Sequence, residues 1–179
     1  ELQSAERPVI LFGGGLNRNL CLSLRKEIND MQVPVMTSWN GADRFASDNE
    51  MWFGRPDTWG MRFSNVLLQQ ADLVVSFGAR LSMQQTGFNW QQFVPQGRVV
   101  QIEIDKTETS KGHPNVDWTL NVDANDVLFR LVQSTKGQCG NWISHCKKVR
   151  SALPLSDPSN ETASGFISPY YIERRSHFD

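Results

Sequence analysis

The chain has 179 residues and carries 18 Lys and Arg against 19 Asp and Glu, a formal charge of -1. This near-balance, without any block of like charges, argues against nucleic acid or an anionic membrane surface as a partner, and no apolar run approaches the roughly 20 residues that cross a bilayer. The N-terminus lacks the basic-then-apolar pattern of a secretory signal, so a cytoplasmic protein is expected, and the length suits one domain with a normal core.

Val9 to Phe12 is a short apolar run preceded by Pro8 and followed by Gly13, Gly14 and Gly15, the pattern of a buried strand with a tight exit turn. Leu20, Leu24, Ile28 and Met31 then recur at i, i+4, i+8 and i+11, which predicts an amphipathic helix with Asn17 as its N-cap. Val33 to Met36 is a second strand, with Thr37, Ser38 and Trp39 at its carboxyl end. Residues 40 to 58 are rich in Gly, Asp, Asn and Pro and read as loops with at most a short helical turn, although Trp52, Phe53 and Trp59 are expected to bury. A helix over 60–71 places Phe63, Val66 and Leu67 on one apolar face and feeds the apolar run Leu73 to Phe77, which ends at Gly78. A short helix is expected at Phe88 to Phe93, then strands at Val99 to Ile104 and Trp118 to Val122. Asp123 can cap a helix carrying Val127, Leu128, Leu131 and Val132. Gly137 and Gly140 break the pattern before a helix over 141–153 with Trp142, Ile143, Cys146 and Val149, and 154–164 reads as a linker.

Helical stripes alternating with fully apolar runs define an α/β class: a Rossmann-like, doubly wound, mostly parallel sheet with helices on both faces. Ligands of such sheets sit outside the carboxyl ends of the strands, where Gly78, Ala79, Arg80, Leu81 and Ser82 fall. Gly13, Gly14 and Gly15 admit two readings: a cradle whose amides approach a phosphate, or a tight turn alone. In GGGLNR the last glycine of a G-x-G-x-x-G fingerprint is replaced by Arg18, and no acidic residue ends the second strand, which disfavours an ordinary NAD dehydrogenase. Arg80 suits a phosphate or carboxylate ligand, or equally a structural ion pair near a subunit face.

Other groups carry less chemistry. Asp43 with Arg44, and Asp48 with Glu50, read as solvated loop charge rather than acid–base pairs. His113, His145 and His177 are scattered and have no nucleophile elbow nearby. Cys21, Cys139 and Cys146 are odd in number and contain no CxxC pair, so they are expected to be reduced thiols without a catalytic role. The six tryptophans are expected mainly in core or interface, with some of Trp39, Trp52, Trp59 and Trp90 lining a cleft.

Five segments in order, RPVILFGGG (7–15), VPVMTSWNGADRF (33–45), GRPDTWGMRFSN (54–65), ADLVVSFGARLSMQQTGFN (71–89) and VVQIEIDKTETSKG (99–112), resemble the central domain of thiamine-diphosphate enzymes of the acetolactate synthase large (catalytic) subunit type. The resemblance spans about residues 7 to 135. It implies a DHS-like NAD/FAD-binding fold of about six strands, with residues 1–153 as the central domain and 154–179 as a linker and the start of the next domain, ISPYYIERR (167–175) resembling that start. Relatives that bind FAD use positions matching Gly13, Gly14, Gly15, Thr37, Ser38, Gly78, Ala79, Arg80, Ser82, Glu103, Ile104 and Glu108, which makes FAD or ADP the implied ligand class. Two departures count against flavin: Ser82-Met83-Gln84-Gln85 stands where an acidic residue and an arginine are common, and Asp57-Thr58-Trp59-Gly60 lacks a histidine.

In the resembled family, thiamine diphosphate and Mg2+ are held by two other domains, through a glutamate and a Gly-Asp-Gly motif, and no Gly-Asp-Gly occurs here. The resemblance therefore implies an excised, mainly structural domain, inactive by itself. Its parent would decarboxylate a 2-oxo acid or transfer the activated aldehyde, as a homo-dimer or tetramer in which the other two domains are this chain's partners. The alternatives are a free-standing nucleotide-binding module and a ligand-free interaction domain.

Overall fold

In the computed structural model, which describes residues 1–135 and 139–168, five strands form one parallel sheet. They are β1 (Pro8–Phe12), β2 (Val35–Thr37), β3 (Leu73–Phe77), β4 (Arg98–Ile102) and β5 (Trp118–Leu120), in the order β2-β1-β3-β4-β5. All four pairings are parallel, with Phe12 opposite Thr37 on one side and Phe77 on the other. The chain runs outward from β1 to β2, then returns to place β3 on the other side of β1. The direction of winding thus reverses between β1 and β3, where a crevice opens at the carboxyl end of a doubly wound sheet.

Side chains of β1 alternate between two cores because successive Cβ atoms point to opposite faces. Ile10 and Phe12 pack with Leu16, Cys21, Ile28 and Met31 of the first helical region and with Leu128 and Val132. Val9 and Leu11 pack on the opposite face with Phe63, Leu67, Leu68, Trp142 and Cys146. The predicted helix after β1 forms as two pieces, α1 (Arg18–Ser23) and α2 (Arg25–Asp30), joined at Leu24, with the Asn17 side chain capping α1 by accepting from the Leu20 N–H at 3.1 Å. On the other face lie α3 (Arg62–Gln70) and, later in the chain, the helix over Gly140–Ala152. Helices therefore cover both faces, as the apolar runs require.

Several expectations shift in detail. The buried face of α3 is Phe63, Ser64, Leu67 and Leu68, while Val66 is turned outward; the Ser64 hydroxyl is satisfied by donating to the Phe53 carbonyl at 2.8 Å. Against the implied six strands, the described residues form five. The position beyond β2 is taken by residues 51–54, which make one parallel bridge, Val35 to Trp52. The Val35 N–H donates to Met51 O and the Phe53 N–H to Val35 O, both at 2.8 Å, but the Thr37 N–H then reaches Gly54 O, one residue beyond a regular ladder. Gly54 has φ +82, so the chain leaves the strand direction there. Trp52 and Phe53 bury as expected, whereas Trp59 is 70% exposed.

Two short helices have no counterpart in the sequence reading: α4 (Met83–Thr86) and α5 (Lys106–Ser110). They precede α6 (Ala124–Ser134), capped by Asp123 through the Asn125 N–H at 2.8 Å, and α7 (Gly140–Ala152), which begins at a glycine expected to lie just ahead of the helix. Residues 90–92 form the expected short turn of helix near Phe88 to Phe93. The Trp142 indole N–H donates to Pro8 O at 3.0 Å and ties α7 to the start of β1. Gly137, His177 and most of ISPYYIERR lie outside the described residues.

The thiols take part in this packing. Burial pushes Cys21 up to about 11 and Cys146 up to about 12, so both stay protonated near neutrality. Since the thiolate is the reactive form, a thiol reagent is expected to modify these two cysteines about a hundredfold more slowly in the native chain than in urea. Mass-spectrometric mapping of labelled peptides checks this. Equal rates would mean that the core around them opens readily.

Candidate functional site at the carboxyl edge of the sheet

The turns leaving β1 and β3 meet face to face. The Gly13 N–H donates to Phe77 O at 2.8 Å and the Gly15 N–H to Gly78 O at 2.9 Å. A Cβ on Gly13 would lie 2.2 Å from Gly78 O, and one on Gly15 2.9 Å from Gly78 Cα. Gly78 itself has φ +57 and donates to Ile102 O at 2.9 Å. These glycines are thus accounted for by close backbone approach between two strand ends. The first turn of α1 is also engaged: the Asn17 N–H donates to Asn125 Oδ1 at 2.7 Å, and the Asn125 side chain donates to Gly15 O at 3.3 Å.

Above this contact lies a cleft of about 570 Å3. Of the twelve sequence-predicted site residues, Gly14, Gly15, Ser38, Gly78, Ala79, Arg80, Ser82 and Glu103 line it together. The other four do not. Gly13 is buried beneath the turn, and Thr37 is fully buried, its hydroxyl accepting from the Trp52 indole N–H at 3.4 Å. Ile104 points to solvent, and Glu108 sits behind Arg80.

Glu108 is the centre of an ion-pair group. Arg80 Nε donates to its Oε1 at 2.7 Å and Lys111 Nζ to its Oε2 at 3.0 Å, while Lys111 also donates to the Arg80 and Leu81 carbonyls. The Glu108 side chain is only 11% exposed, whereas that of Arg80 is 76% exposed. Burial works to raise the Glu108 pKa, but the bonds from Lys111 and Arg80 outweigh it and hold the carboxyl below its ordinary value. A depressed folded-state pKa means stability that is complete above the ordinary carboxylate range and is lost as pH falls through the depressed value. The urea midpoint of the wild-type chain is therefore expected to fall more steeply below pH about 4.5 than that of Glu108→Gln. Parallel curves for the two would show that the pair contributes nothing to folding.

Sequence reasoning passed over several residues that shape the cleft. Gln101, buried in β4, donates to Ala79 O at 3.2 Å and fixes the loop after β3; an amide inside the apolar run VVQI was the available signal. Gln85 donates to Pro56 O, and the Thr58 N–H to Gln84 O at 2.9 Å, which seats the 56–60 loop against α4. Asp57, Asn40, Gln84 and Gln85 all line the cleft; so does Trp39, one of the tryptophans that the sequence offered as cleft-lining, 56% exposed with the Arg55 guanidinium 5.7 Å from its ring centre. No local signal marked Asn125 as part of this turn, because the partners it reaches there, Asn17 and Gly15, lie more than a hundred residues earlier.

The remaining candidates are held in ion pairs or, for the two described histidines, by one polar contact and one ring contact each, His145 stacking on Trp142 at 5.4 Å and His113 lying 5.9 Å from Trp90. Asp43 pairs with Arg18 and Arg44, Asp48 with Arg25 at 3.3 Å, and Glu50 with Lys147 at 2.8 Å. His145 Nε2 lies 2.8 Å from Gln70 Oε1, and His113 Nδ1 lies 3.3 Å from Lys111 O. Among the described residues, no three His, Cys, Asp or Glu side chains gather in a way that could hold a metal ion, and no helix is long and apolar enough to cross a membrane.

A parallel sheet ordered β2-β1-β3-β4-β5, with a glycine-lined crevice where the winding reverses, defines a doubly wound, Rossmann-like α/β domain. Over residues 1–131 the sequence matches the family described as thiamine pyrophosphate enzyme, central domain, and the chain belongs to that family. It is similar to the acetolactate synthase large subunit of Porphyra purpurea, 27% identical over 180 residues that cover 96% of this chain and 30% of that protein. The acetolactate synthase isozyme 1 large subunit of Escherichia coli K12 is 28% identical over 88% of this chain and 28% of its own length. A probable acetolactate synthase large subunit of Methanocaldococcus jannaschii is 29% identical over 87% and 27%. The chain thus spans less than a third of the length of these relatives.

Proposed function

We propose that this chain is the middle domain of an acetolactate synthase-like thiamine-diphosphate enzyme, with residues 1–153 forming the domain and 154–179 leading into the next one. Its role is mainly architectural: it spaces the two catalytic domains of a cytoplasmic parent that is a homo-dimer or tetramer. The parent decarboxylates a 2-oxo acid or passes the activated aldehyde to an acceptor, chemistry that the thiamine group supplies when bound. The observation that carries this reading is the family match over residues 1–131 on a parallel doubly wound sheet. Apolar side chains left exposed on the loops at the carboxyl edge, Trp59, Phe88 and Ile104, support contact with neighbouring domains.

The residues present do not fit the thiamine-diphosphate anchor. The sequence contains no Gly-Asp-Gly, and the described residues assemble no metal-binding group. The 179-residue chain, given pyruvate, thiamine diphosphate and Mg2+, is therefore expected to release no CO2 above the uncatalysed rate, whereas the parent-length polypeptide does so. Turnover by the chain alone would overturn the architectural reading.

Within this domain, we assign the strand-end cleft as the ligand site, with adenine nucleotides such as ADP or FAD as the class implied by the resemblance. Its fit to such a group is uneven. The Gly13, Gly15 and Asn17 amides already donate within the fold, whereas Arg80, held to Glu108 through Nε alone and 76% exposed, keeps its terminal guanidinium donors for an anion.

A further inference from the structure

A second cavity opens at the opposite, amino edge of the sheet. Arg7, Val33, Gln70 and Gln96 line it, each just ahead of one of β1 to β4, and Thr135 at the end of α6 and the first turn of α7 complete the wall. At about 1190 Å3 it is the roomier of the two sites, and it shares no described lining residue with the carboxyl-edge cleft. Gln70, the last residue of α3, positions two side chains here: its carbonyl accepts from Arg7 Nε at 2.9 Å, and its Oε1 lies 2.8 Å from His145 Nε2. Among the described residues, the terminal nitrogens of Arg7 have one acidic neighbour, the Glu6 carboxylate, which is 84% exposed and 3.8 Å away, too far for a hydrogen bond. Asp72 spends its two oxygens on the Glu6 and Arg7 N–H groups, at 2.8 and 2.9 Å. The start of α7 adds positive potential. Its ladder begins with the Ile143 N–H, which donates to Cys139 O at 2.9 Å, so the N–H groups of Gly140, Asn141 and Trp142 lie ahead of it. Cys139, the N-cap residue of this 13-residue helix, gives them no side-chain bond. Thr135 is an independent sign that something binds. It is 8% exposed and lines the cavity, and its hydroxyl has no hydrogen-bond partner among the described residues. A hydroxyl buried without a partner is costly, and a ligand entering the cavity would complete it.

An oxyanion is the one ligand chemistry that uses all of these groups together, since a guanidinium fork, free helix amides and a hydroxyl are all donors to it. We propose that the amino-edge cavity binds a small organic oxyanion, a carboxylate or a phosphate monoester. Its charged end is held by Arg7, the first-turn N–H groups of α7 and the Thr135 hydroxyl, and its apolar body rests against Leu2, Ala5 and Val33. This site is independent of the carboxyl-edge cleft and stands whether or not that cleft takes a nucleotide.

Calorimetry on the full chain with benzoate, phenyl phosphate and phenol tests this, because phenol has the ring without the charge. At least one of the two anions is expected to bind about tenfold or more tightly than phenol, and whichever binds better identifies the class. Arg7→Ala is expected to weaken that anion about tenfold or more. Thr135→Val keeps the shape of the side chain and removes a hydroxyl that has no partner in the free chain. The unliganded melting temperature should therefore hold or rise, while the affinity for the anion falls about fivefold. A merely structural hydroxyl would do the reverse. The bound anion is also expected to slow alkylation of Cys139, the half-buried thiol on the cavity wall, about fivefold or more, and to leave the buried Cys21 and Cys146 as they were. If neither anion binds, or phenol binds as tightly as both, there is no oxyanion site here. Unchanged affinity in both variants, or a Cys139 that gains no protection, would put the bound anion elsewhere on the chain and overturn the assignment.

Discussion

Gly13→Ala is expected to destabilise the chain by about 3 kcal/mol or more, at the upper end of overpacking changes, and to lower the melting temperature by roughly 6 to 12 °C for a chain of this size. The added methyl would sit 2.2 Å from Gly78 O and 2.5 Å from both Gly78 C and Ala79 Cα, and all three are backbone atoms. Nothing there can rotate away. Relief requires the ends of β1 and β3 to part, which stretches the Gly13 to Phe77 and Gly15 to Gly78 hydrogen bonds, 2.8 and 2.9 Å long, at the floor of the cleft. Gly14→Ala, one residue along, is the internal control. Its methyl would meet Asn40 Cβ at 3.0 Å and Asn40 O at 3.1 Å, contacts that a surface loop can yield to, and the expected cost is under about 1 kcal/mol. Urea denaturation of both variants followed by circular dichroism decides the matter. Equal midpoints would mean that the two strand-end turns do not pack as described.

Phe12→Ala carries the second large effect, about 3 to 5 kcal/mol, the usual range for removing a fully buried phenylalanine. Phe12 ends β1 with no exposed surface and stands edge-on to two rings, Phe45 at 6.2 Å and Phe77 at 6.1 Å between centroids. Such pairs contribute beyond their buried area, and Phe12 belongs to both. A Phe12 and Phe77 double-mutant cycle should therefore show coupling on the order of 1 kcal/mol, since the two share one contact surface. Phe88→Ala, at an exposed ring, should stay within about 0.5 kcal/mol of wild type. A similar loss at Phe88 would place that ring in a core it does not occupy here.

These two sites show what each level of organisation contributes. Phe12 was legible as the end of an apolar run, and Gly13 as the start of a turn, because both readings depend only on neighbours in the chain. The stripe Leu20, Leu24, Ile28 and Met31 found its core face for the same reason. Short elements escaped: α4 has four residues and α5 five, too few for any period to register. Val66 was misplaced because i+3 spacing admits a face that the neighbouring Ser64 and Leu68 in fact supply, Ser64 being buried through its bond to Phe53 O. Trp59 was expected to bury on size alone, yet it sits on a loop seated by Gln84 and Asn65, with no core within reach of its ring.

Composition and periodicity, on their own, determined the α/β class, the buried strands and the glycine-ended turns, since these are properties of contiguous residues. The order β2-β1-β3-β4-β5, the gathering of eight candidate residues around one cleft, and the commitment of Arg80 to Glu108 and of the Gly13 amide to Phe77 were decided only by the tertiary structure. Every one of those outcomes depends on which distant segment satisfies a backbone or charged group. That choice follows from how two apolar faces are covered at once, which no local window of sequence contains.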